Sequence, residues 1–342
     1  AGAAGLAVVR MSGPHALAVA DAVFVGASPL ARAAGDTLHH GWALAPAAPR
    51  GARARLDEVV AAVFRAPRSY TRQDVVELSC HGGAVSAGRV LAALLAAGAR
   101  QARPGEFTLR AFLNGRLDLV QAEAVADLIR AETEAAHDLA LAQLRGGLSR
   151  RLAALVEAVS DALAEVEARV DFAEDVGGVE VPPRVVAAVA AAEAELADLL
   201  AGADYARAVR EGVTVVLAGR PNVGKSSLFN ALLGARRAIV TATPGTTRDL
   251  VSEPLEIAGV RVTLTDSAGL RRGGGEAESE GVRRAREALA AAAVVIWVVD
   301  ASVPLAPEDR RIAGRLAGRR VLAALNKSDL PAVAAPGEAA AL

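Results

Sequence analysis

Apolar positions change their period along this 342-residue chain, and the changes divide it into three parts. In residues 1–117 short apolar runs, AVVR (7–10), DEVVAAVF (57–64) and DVVELSC (74–80), read as strands, and SAGRVLAALLAAG (86–98) reads as a helix. The mixture predicts an α+β domain. From Leu117 to Ala173 the chain has no proline and is rich in Ala, Leu, Glu and Arg, which predicts helix with one break at Arg145-Gly146-Gly147. LAALVEAVSDALAEVEARV (152–170) repeats its apolar positions at helical spacing, DFAEDVGGVEVPP (171–183) reads as a loop, and VVAAVAAAEAELADLLAG (185–202) as a further helix. Strict heptads are not sustained, so residues 118–211 predict an intramolecular helical bundle rather than a coiled-coil arm. Residues 212–342 alternate buried-strand runs with helical ones: VTVVLAG (213–219), SLFNALLG (227–234), RVTLTDSAG (261–269), ALAAAAVVIWVVD (288–300) and VLAALNKSD (321–329). That order predicts an α/β domain with a mostly parallel sheet flanked by helices.

Chemistry enters with the lysines, because Lys225 and Lys327 are the only two in the sequence. Each sits where a nucleotide motif asks for a compact ammonium, which the planar fork of arginine does not replace. GRPNVGKSS (219–227) follows a strand and opens a helix, as a phosphate loop does. Its Asn222, Val223, Gly224, Lys225, Ser226 and Ser227 form the expected phosphate-binding set. Gly219 and Gly224 free backbone N–H groups to face phosphates, Lys225 reaches toward the β- and γ-phosphates, and the Ser226 hydroxyl is placed to bind Mg2+.

The second lysine motif, NKSD, supplies Asn326, Lys327 and Asp329 at a strand end. A buried Asp329 carboxylate would pair with the two N–H donors of guanine, a pair adenine lacks. Between the motifs, Asp266 is positioned for the Mg2+ water shell, and Ser267, Ala268 and Gly269 form the loop whose Gly269 N–H senses a γ-phosphate. TATPGTTRD (241–249) reads as the loop that closes over that phosphate, with Thr241, Thr246 and Thr247 against the nucleotide and Thr247 as second Mg2+ ligand. The order is that of a Ras-like P-loop GTPase, yet Leu270 stands where the water-positioning glutamine would be. Glu276, Glu278 and Glu280 are alternatives for that task, and Arg248, Arg271 and Arg272 are nominal arginine fingers; Thr247 and Asp249 complete the catalytic candidates.

Charge narrows the partners. The net charge is −1, but residues 1–117 carry +6, residues 118–211 carry −11 and residues 212–342 carry +4. The acidic middle excludes a general nucleic-acid surface there, and 3 % aromatic content excludes a base-stacking platform. No apolar stretch is long enough to span a bilayer, no signal peptide is evident, and a single cysteine excludes an intramolecular disulfide framework, which together lead us to expect a cytoplasmic protein. Cys80 reads as a buried small hydrophobe and His81 as a structural hydrogen-bonding residue.

Several blocks outside the nucleotide motifs, VVRMSGP (8–14), PRSYTRQDVVELSCHGG (67–83) and RPGEFTLRAFLNGRLDLVQAEAVADLI (103–129), together with GRPNVGKSSLFNALL (219–233) and PGTTRD (244–249), resemble the tRNA-modifying GTPase family MnmE, or TrmE. The resemblance covers nearly the whole chain and implies a multidomain α+β and α/β fold. It gives an N-terminal folate-binding and dimerisation domain (1–117), the first part of a helical domain (118–211) and an inserted GTPase domain (212–342), whose last guanine-base loop, closing helices and a C-terminal cysteine motif lie past residue 342 in the family. It implies a homodimer, a heterotetramer with the FAD-dependent partner MnmG, and modification of tRNA at C5 of the wobble uridine. Arg10, Glu77 and Arg116 match the positions that contact 5-formyl- or 5,10-methylene-tetrahydrofolate, the last often lysine in the family. Asn222, Thr241, Thr243 and Thr246 match those that hold K+, which with pairing of GTPase domains replaces an arginine finger. The resemblance favours Glu278 as the water-orienting glutamate. Two readings stand beside the enzyme one: a GTP-dependent ribosome or RNA assembly factor without one-carbon chemistry, for which no RNA-binding domain is evident, and a folate-binding scaffold whose partner does the redox chemistry.

Overall fold

The computed structural model describes residues 4–46, 53–235, 252–266 and 287–333. The chain divides into two compact units, Ala1–Ala126 with Gln143–Ser149, and Asp127–Ala142 with Arg150–Leu342.

The first unit is built on an antiparallel sheet in the order β1-β5-β4-β3-β2: β1 (Leu6–Ser12), β2 (Phe24–Gly26), β3 (Thr37–Leu44), β4 (Arg55–Phe64) and β5 (Val75–His81). The apolar runs read as strands are β1, β4 and β5. In β4 the side chains alternate, Val59, Ala61 and Val63 buried and Val60 exposed, so one face of the sheet meets the core. Helices α1 (Ala16–Asp21) and α2 (Ala84–Ala96) belong to this unit, and Leu17, Val90 and Leu94 join Val59, Val63, Val76 and Leu78 in one buried cluster. The thiol of Cys80 is in the same cluster, 3.6 Å from the Ala7 carbonyl, and burial pushes its pKa up.

Strands β2 and β3 were not expected from the sequence. Thr37–Leu44 is TLHHGWAL, whose two histidines and glycine hide the alternation, and Gly41 sits there because a Cβ would lie 2.3 Å from the Val25 carbonyl oxygen. Helix α3 (Glu106–Leu113) follows, its start fixed by Glu106, which accepts from the Arg103 N–H and from Arg100 and Arg110.

Helix α4 (Leu119–Arg130) leads from the first unit into the second, followed by α5 (Glu134–Leu144), α6 (Gly147–Asp171), α7 (Pro183–Ala201) and α8 (Ala203–Glu211). The break expected at residues 145–147 is present at 145 and 146, with Gly146 at φ 77° and Gly147 opening α6. A second break, at residues 131–133, corrects the expectation of one. Its cause is Thr133, buried, whose Oγ1 accepts from the Ala136 N–H at 3.1 Å and so starts α5 as a new helix.

The remaining strands form a sheet in the order β10-β9-β6-β8-β7: β6 (Val213–Ala218), β7 (Ser252–Ile257), β8 (Val260–Asp266), β9 (Val294–Asp300) and β10 (Val321–Asn326). All its pairings are parallel except that of the edge strand β7 with β8. Helices α9 (Lys225–Ala235) and α10 (Pro307–Leu316) contribute Phe229 and, separately, Ala313 and Leu316 to the clusters that cover the sheet. The connections bring the ends of β6, β8 and β10, each the start of a motif loop, to the carboxyl edge where parallel sheets bind ligands. Among the described residues no helix is long and apolar enough to cross a membrane.

Replacing Thr133 by Ala removes the cap that separates α4 from α5 and is expected to cost about 1 kcal/mol. Urea denaturation reads it, and Thr133→Ser, which keeps the hydroxyl, should leave the midpoint close to that of the unaltered protein.

Candidate functional sites: a nucleotide pocket and an arginine-aromatic cluster

The loop between β6 and α9 carries residues 219–224 and turns back on itself through positive φ at Asn222 (62°) and Gly224 (95°), with Lys225 and Ser226 opening α9. Gly224 has a second reason to be glycine: a Cβ there would lie 2.0 Å from Nδ2 of Asn326. That amide donates to the Val223 carbonyl at 2.8 Å, so the two lysine motifs, 103 residues apart, are joined by a hydrogen bond. Val223 is buried among Leu217, Phe229 and Val298, which fixes the loop to the core beneath it. Lys225 is also buried, with Nζ donating to the carbonyls of Gly219 (3.0 Å) and Arg220 (2.6 Å). Ser226 Oγ donates to Asp266 Oδ2 at 2.9 Å. A hydroxyl and a carboxylate side by side at the mouth of the loop are hard oxygen donors of the kind Mg2+ takes, so these residues fit the ion.

The guanine-motif loop begins with Lys327 in the left-handed region, φ 61°. Its Nζ contacts Asp300 Oδ2 at 2.5 Å, at the end of β9, while Asp300 Oδ1 accepts from the Ser302 N–H and hydroxyl at 3.0 and 2.6 Å. The Lys327 ammonium, then the Ser302 hydroxyl, hold the Asp300 carboxyl down at about 2 from the ordinary 3.8. Asp329 differs from expectation: it is exposed, not buried.

The remaining candidates of this site lie outside the described residues. They are Thr241, Thr243, Thr246, Thr247, Arg248 and Asp249 of the first loop, and Ser267, Ala268, Gly269, Arg271, Arg272, Glu276, Glu278 and Glu280 of the second.

In the first unit, Arg10 pairs with Glu77, and Arg10 and Arg116 both lie over a residue the sequence reading did not single out, Tyr70. Arg10 Nε and Glu77 Oε1 are 2.6 Å apart, on the adjacent strands β1 and β5, where the two residues are direct partners. The Arg10 guanidinium carbon stands 5.5 Å from the Tyr70 ring centre and 5.7 Å from that of Phe107, and the Arg116 carbon 4.9 Å from Tyr70. Two guanidinium groups therefore share one ring, and Arg116 also donates to the Ser69 carbonyl at 3.2 Å. Arg10 and Phe107 also border a cavity of about 470 Å3, floored by Val9, Met11 and Leu94. Tyr70 falls inside PRSYTRQD, so an aromatic between two basic residues was the available signal. His81, by contrast, serves the fold: its Nδ1 lies 2.7 Å from Asp57 Oδ1, and Asp57 also accepts from Ser86. Among the described residues no group of three or more His, Cys, Asp or Glu could hold a metal ion.

Residues 1–116 match the family model described as the GTP-binding protein TrmE N-terminus, and residues 214–327 match the model described as a 50S ribosome-binding GTPase. The tRNA modification GTPase MnmE of Geobacter metallireducens is 45 % identical over 98 % of this chain and 73 % of its own length. That of Geobacter sulfurreducens is 47 % identical over 99 % and 73 %, and that of Symbiobacterium thermophilum 48 % over 96 % and 72 %.

The Asp300 pair generates a pH dependence. Because the folded carboxyl is more acidic than its unfolded counterpart, its stabilisation is complete above about pH 4 and is lost as the pH falls toward 2. Asp300→Asn should flatten that acid limb and weaken GDP binding at neutral pH roughly tenfold, the worth of one charge-assisted hydrogen bond. Thermal midpoints from pH 2 to 7 and a GDP titration check the two parts.

Proposed function

The chain belongs to the tRNA modification GTPase family MnmE, and from that premise we propose that its GTP hydrolysis is stimulated by K+ and serves folate-dependent modification of the wobble uridine at C5 with an MnmG-like partner. It is a GTP hydrolase of tRNA modification. The observation that carries the finer reading is the coexistence on one chain of a joined phosphate and guanine loop with the Arg10–Glu77–Tyr70–Arg116 cluster. A GTPase domain alone would serve a ribosome assembly factor equally well; residues 1–116 have no place in that reading.

In the nucleotide pocket each described side chain has a task. Asn326 ties the base loop to Val223, so base and phosphates meet one rigid frame. Lys225 lies within reach of charge on the β- and γ-phosphates, at the start of α9, whose N-terminal N–H groups add their own attraction. Ser226 and Asp266 would hold Mg2+, which when bound neutralises charge on the phosphates. Asn222, turned outward by its left-handed backbone, is the described member of the proposed K+ set, with Thr241, Thr243 and Thr246 as the rest. Glu278 is the proposed orienter of the attacking water and Thr247 the second Mg2+ ligand.

In the first unit, the proposed folate would set its carbonyl and carboxylate groups against Arg10 and Arg116 and a ring N–H against Glu77. Cytoplasmic location, a homodimer and a heterotetramer with the partner complete the proposal, as do three domains at 1–117, 118–211 and 212–342.

GTP turnover in potassium chloride against sodium chloride at equal ionic strength tests the cation site. Strong acceleration by K+ is expected, lost in Asn222→Ala with GDP affinity kept within about threefold, since the amide serves the cation and not the base; equal rates in both salts would remove K+ from the proposal. Titration with 5-formyl-tetrahydrofolate tests the cluster. Arg10→Ala should weaken binding at least tenfold, because it takes away a charged donor and exposes Glu77 unpaired; unchanged affinity would place the folate elsewhere.

A further inference from the structure

The phosphate loop is held from a direction its motif does not reveal. Arg220, its second residue, points its side chain to α10, where Nε lies 2.8 Å from the carboxylate of Asp309. Asp309 is wholly buried, with 0 % exposure, and its other task is to accept from the Ala306 N–H at 2.9 Å, which caps the start of α10. A buried carboxylate calls for a cation, and among the described residues Arg220 meets it. The side chain of Arg220 is thus fixed by an element 89 residues away.

The backbone of the same residue is fixed from two other sides. Its carbonyl accepts from Lys225 Nζ at 2.6 Å. Pro221 follows it, which locks the next φ and confines Arg220 to extended conformations. Gly219 precedes it at φ 152°, where a Cβ would lie 2.4 Å from the Val298 carbonyl oxygen of β9. Anchored side chain, restricted backbone and crowded entry leave the first turn of the loop one shape, and the carbonyls on which Lys225 rests keep their direction only while that shape holds.

We propose that Asp309 is a positioning residue for phosphate binding, which acts through Arg220 to hold the first turn of the phosphate loop in the form that receives the nucleotide. The inference rests on the reading of residues 219–227 as the phosphate site. It adds a participant that no nucleotide motif contains, on the helix between the phosphate loop and the guanine loop, and it predicts that damage there is felt by phosphates and not by the base.

The test uses the full chain with Mg2+, and GDP and guanosine as probes, in Asp309→Asn, Arg220→Ala and the double variant. Asn at 309 keeps an oxygen for the Ala306 N–H and removes the charge that Arg220 answers. Each single variant is expected to weaken GDP about tenfold while the guanosine affinity stays within about twofold, and the double variant should bind GDP no more weakly than the worse single, since both cut one link. Arg220→Lys, which restores a cation without the planar fork, should recover part of the loss. Three results would overturn the inference: unchanged GDP affinity, equal losses for GDP and guanosine, or losses that add in the double variant. Should Asp309→Asn or Arg220→Ala not fold, Arg220→Lys, which keeps a cation beside the buried carboxylate, decides by the same comparison of GDP with guanosine. A wild-type chain that binds guanosine but gains nothing from the phosphates of GDP would overturn the phosphate-site reading itself, and this inference with it.

Discussion

The nucleotide pocket depends on one side-chain amide. Asn326 ends β10, yet its Nδ2 reaches the Val223 carbonyl of the loop after β6, and β9 lies between those two strands in the sheet. The reach is possible because residue 224 has no Cβ: an alanine there would put a carbon 2.0 Å from the same nitrogen. The glycine thus does two jobs with one missing atom, adopting φ 95° and making room for Asn326. Without this contact the phosphate loop and the guanine loop would be neighbours on a sheet edge. With it they form one surface, and a nucleotide that satisfies one end is held in register with the other.

Two acids that no motif contains support that surface from behind. Asp300, at the end of β9, holds Lys327, and Asp309, on the helix after it, holds Arg220. Both acids are buried, so each cation it faces is compelled by the cost of an unpaired charge rather than by a weak surface attraction. The stretch from β9 to α10 therefore supports both loops, although it has no nucleotide motif of its own. The same logic explains why β9 is so apolar up to its last residue: VVIWVV seats the strand in the core, and Asp300 at its carboxyl end holds Lys327.

The sequence made the motif loops legible because their chemistry is local. A strand, a glycine loop, a lysine and a helix follow one another within a few residues, and 213–235 forms β6, the loop and α9 accordingly. Strand β3 escaped because its alternation runs through histidine and glycine, and the break before α5 escaped because a single threonine makes it. Asp309 and Tyr70 escaped for another reason. A lone acid near the start of a surface-looking helix, or a tyrosine in a basic loop, has the same local sequence whether or not a partner waits tens of residues away. Asp329 shows the opposite error: its motif suggests a buried carboxylate, and it stands exposed in the chain itself.

The division between lysine and arginine follows from these contacts. Lys225 meets carbonyl oxygens of two successive residues, and Lys327 meets a carboxylate oxygen beside a hydroxyl already bound there. Both are tasks for a compact charge that approaches from one point. The arginines described in the binding regions do something a point charge does not: Arg10 and Arg116 lie over one tyrosine ring, and Arg220 spans from a loop to a buried acid by its Nε. A planar, delocalised cation suits a ring face and keeps further donors for a ligand after one is spent. In a chain that uses arginine for its other side-chain cations of the Lys/Arg class, lysine persists where a compact ammonium meets carbonyl and carboxylate oxygens. The rarity of lysine is thus a map of the nucleotide pocket, drawn by shape before any charge is counted.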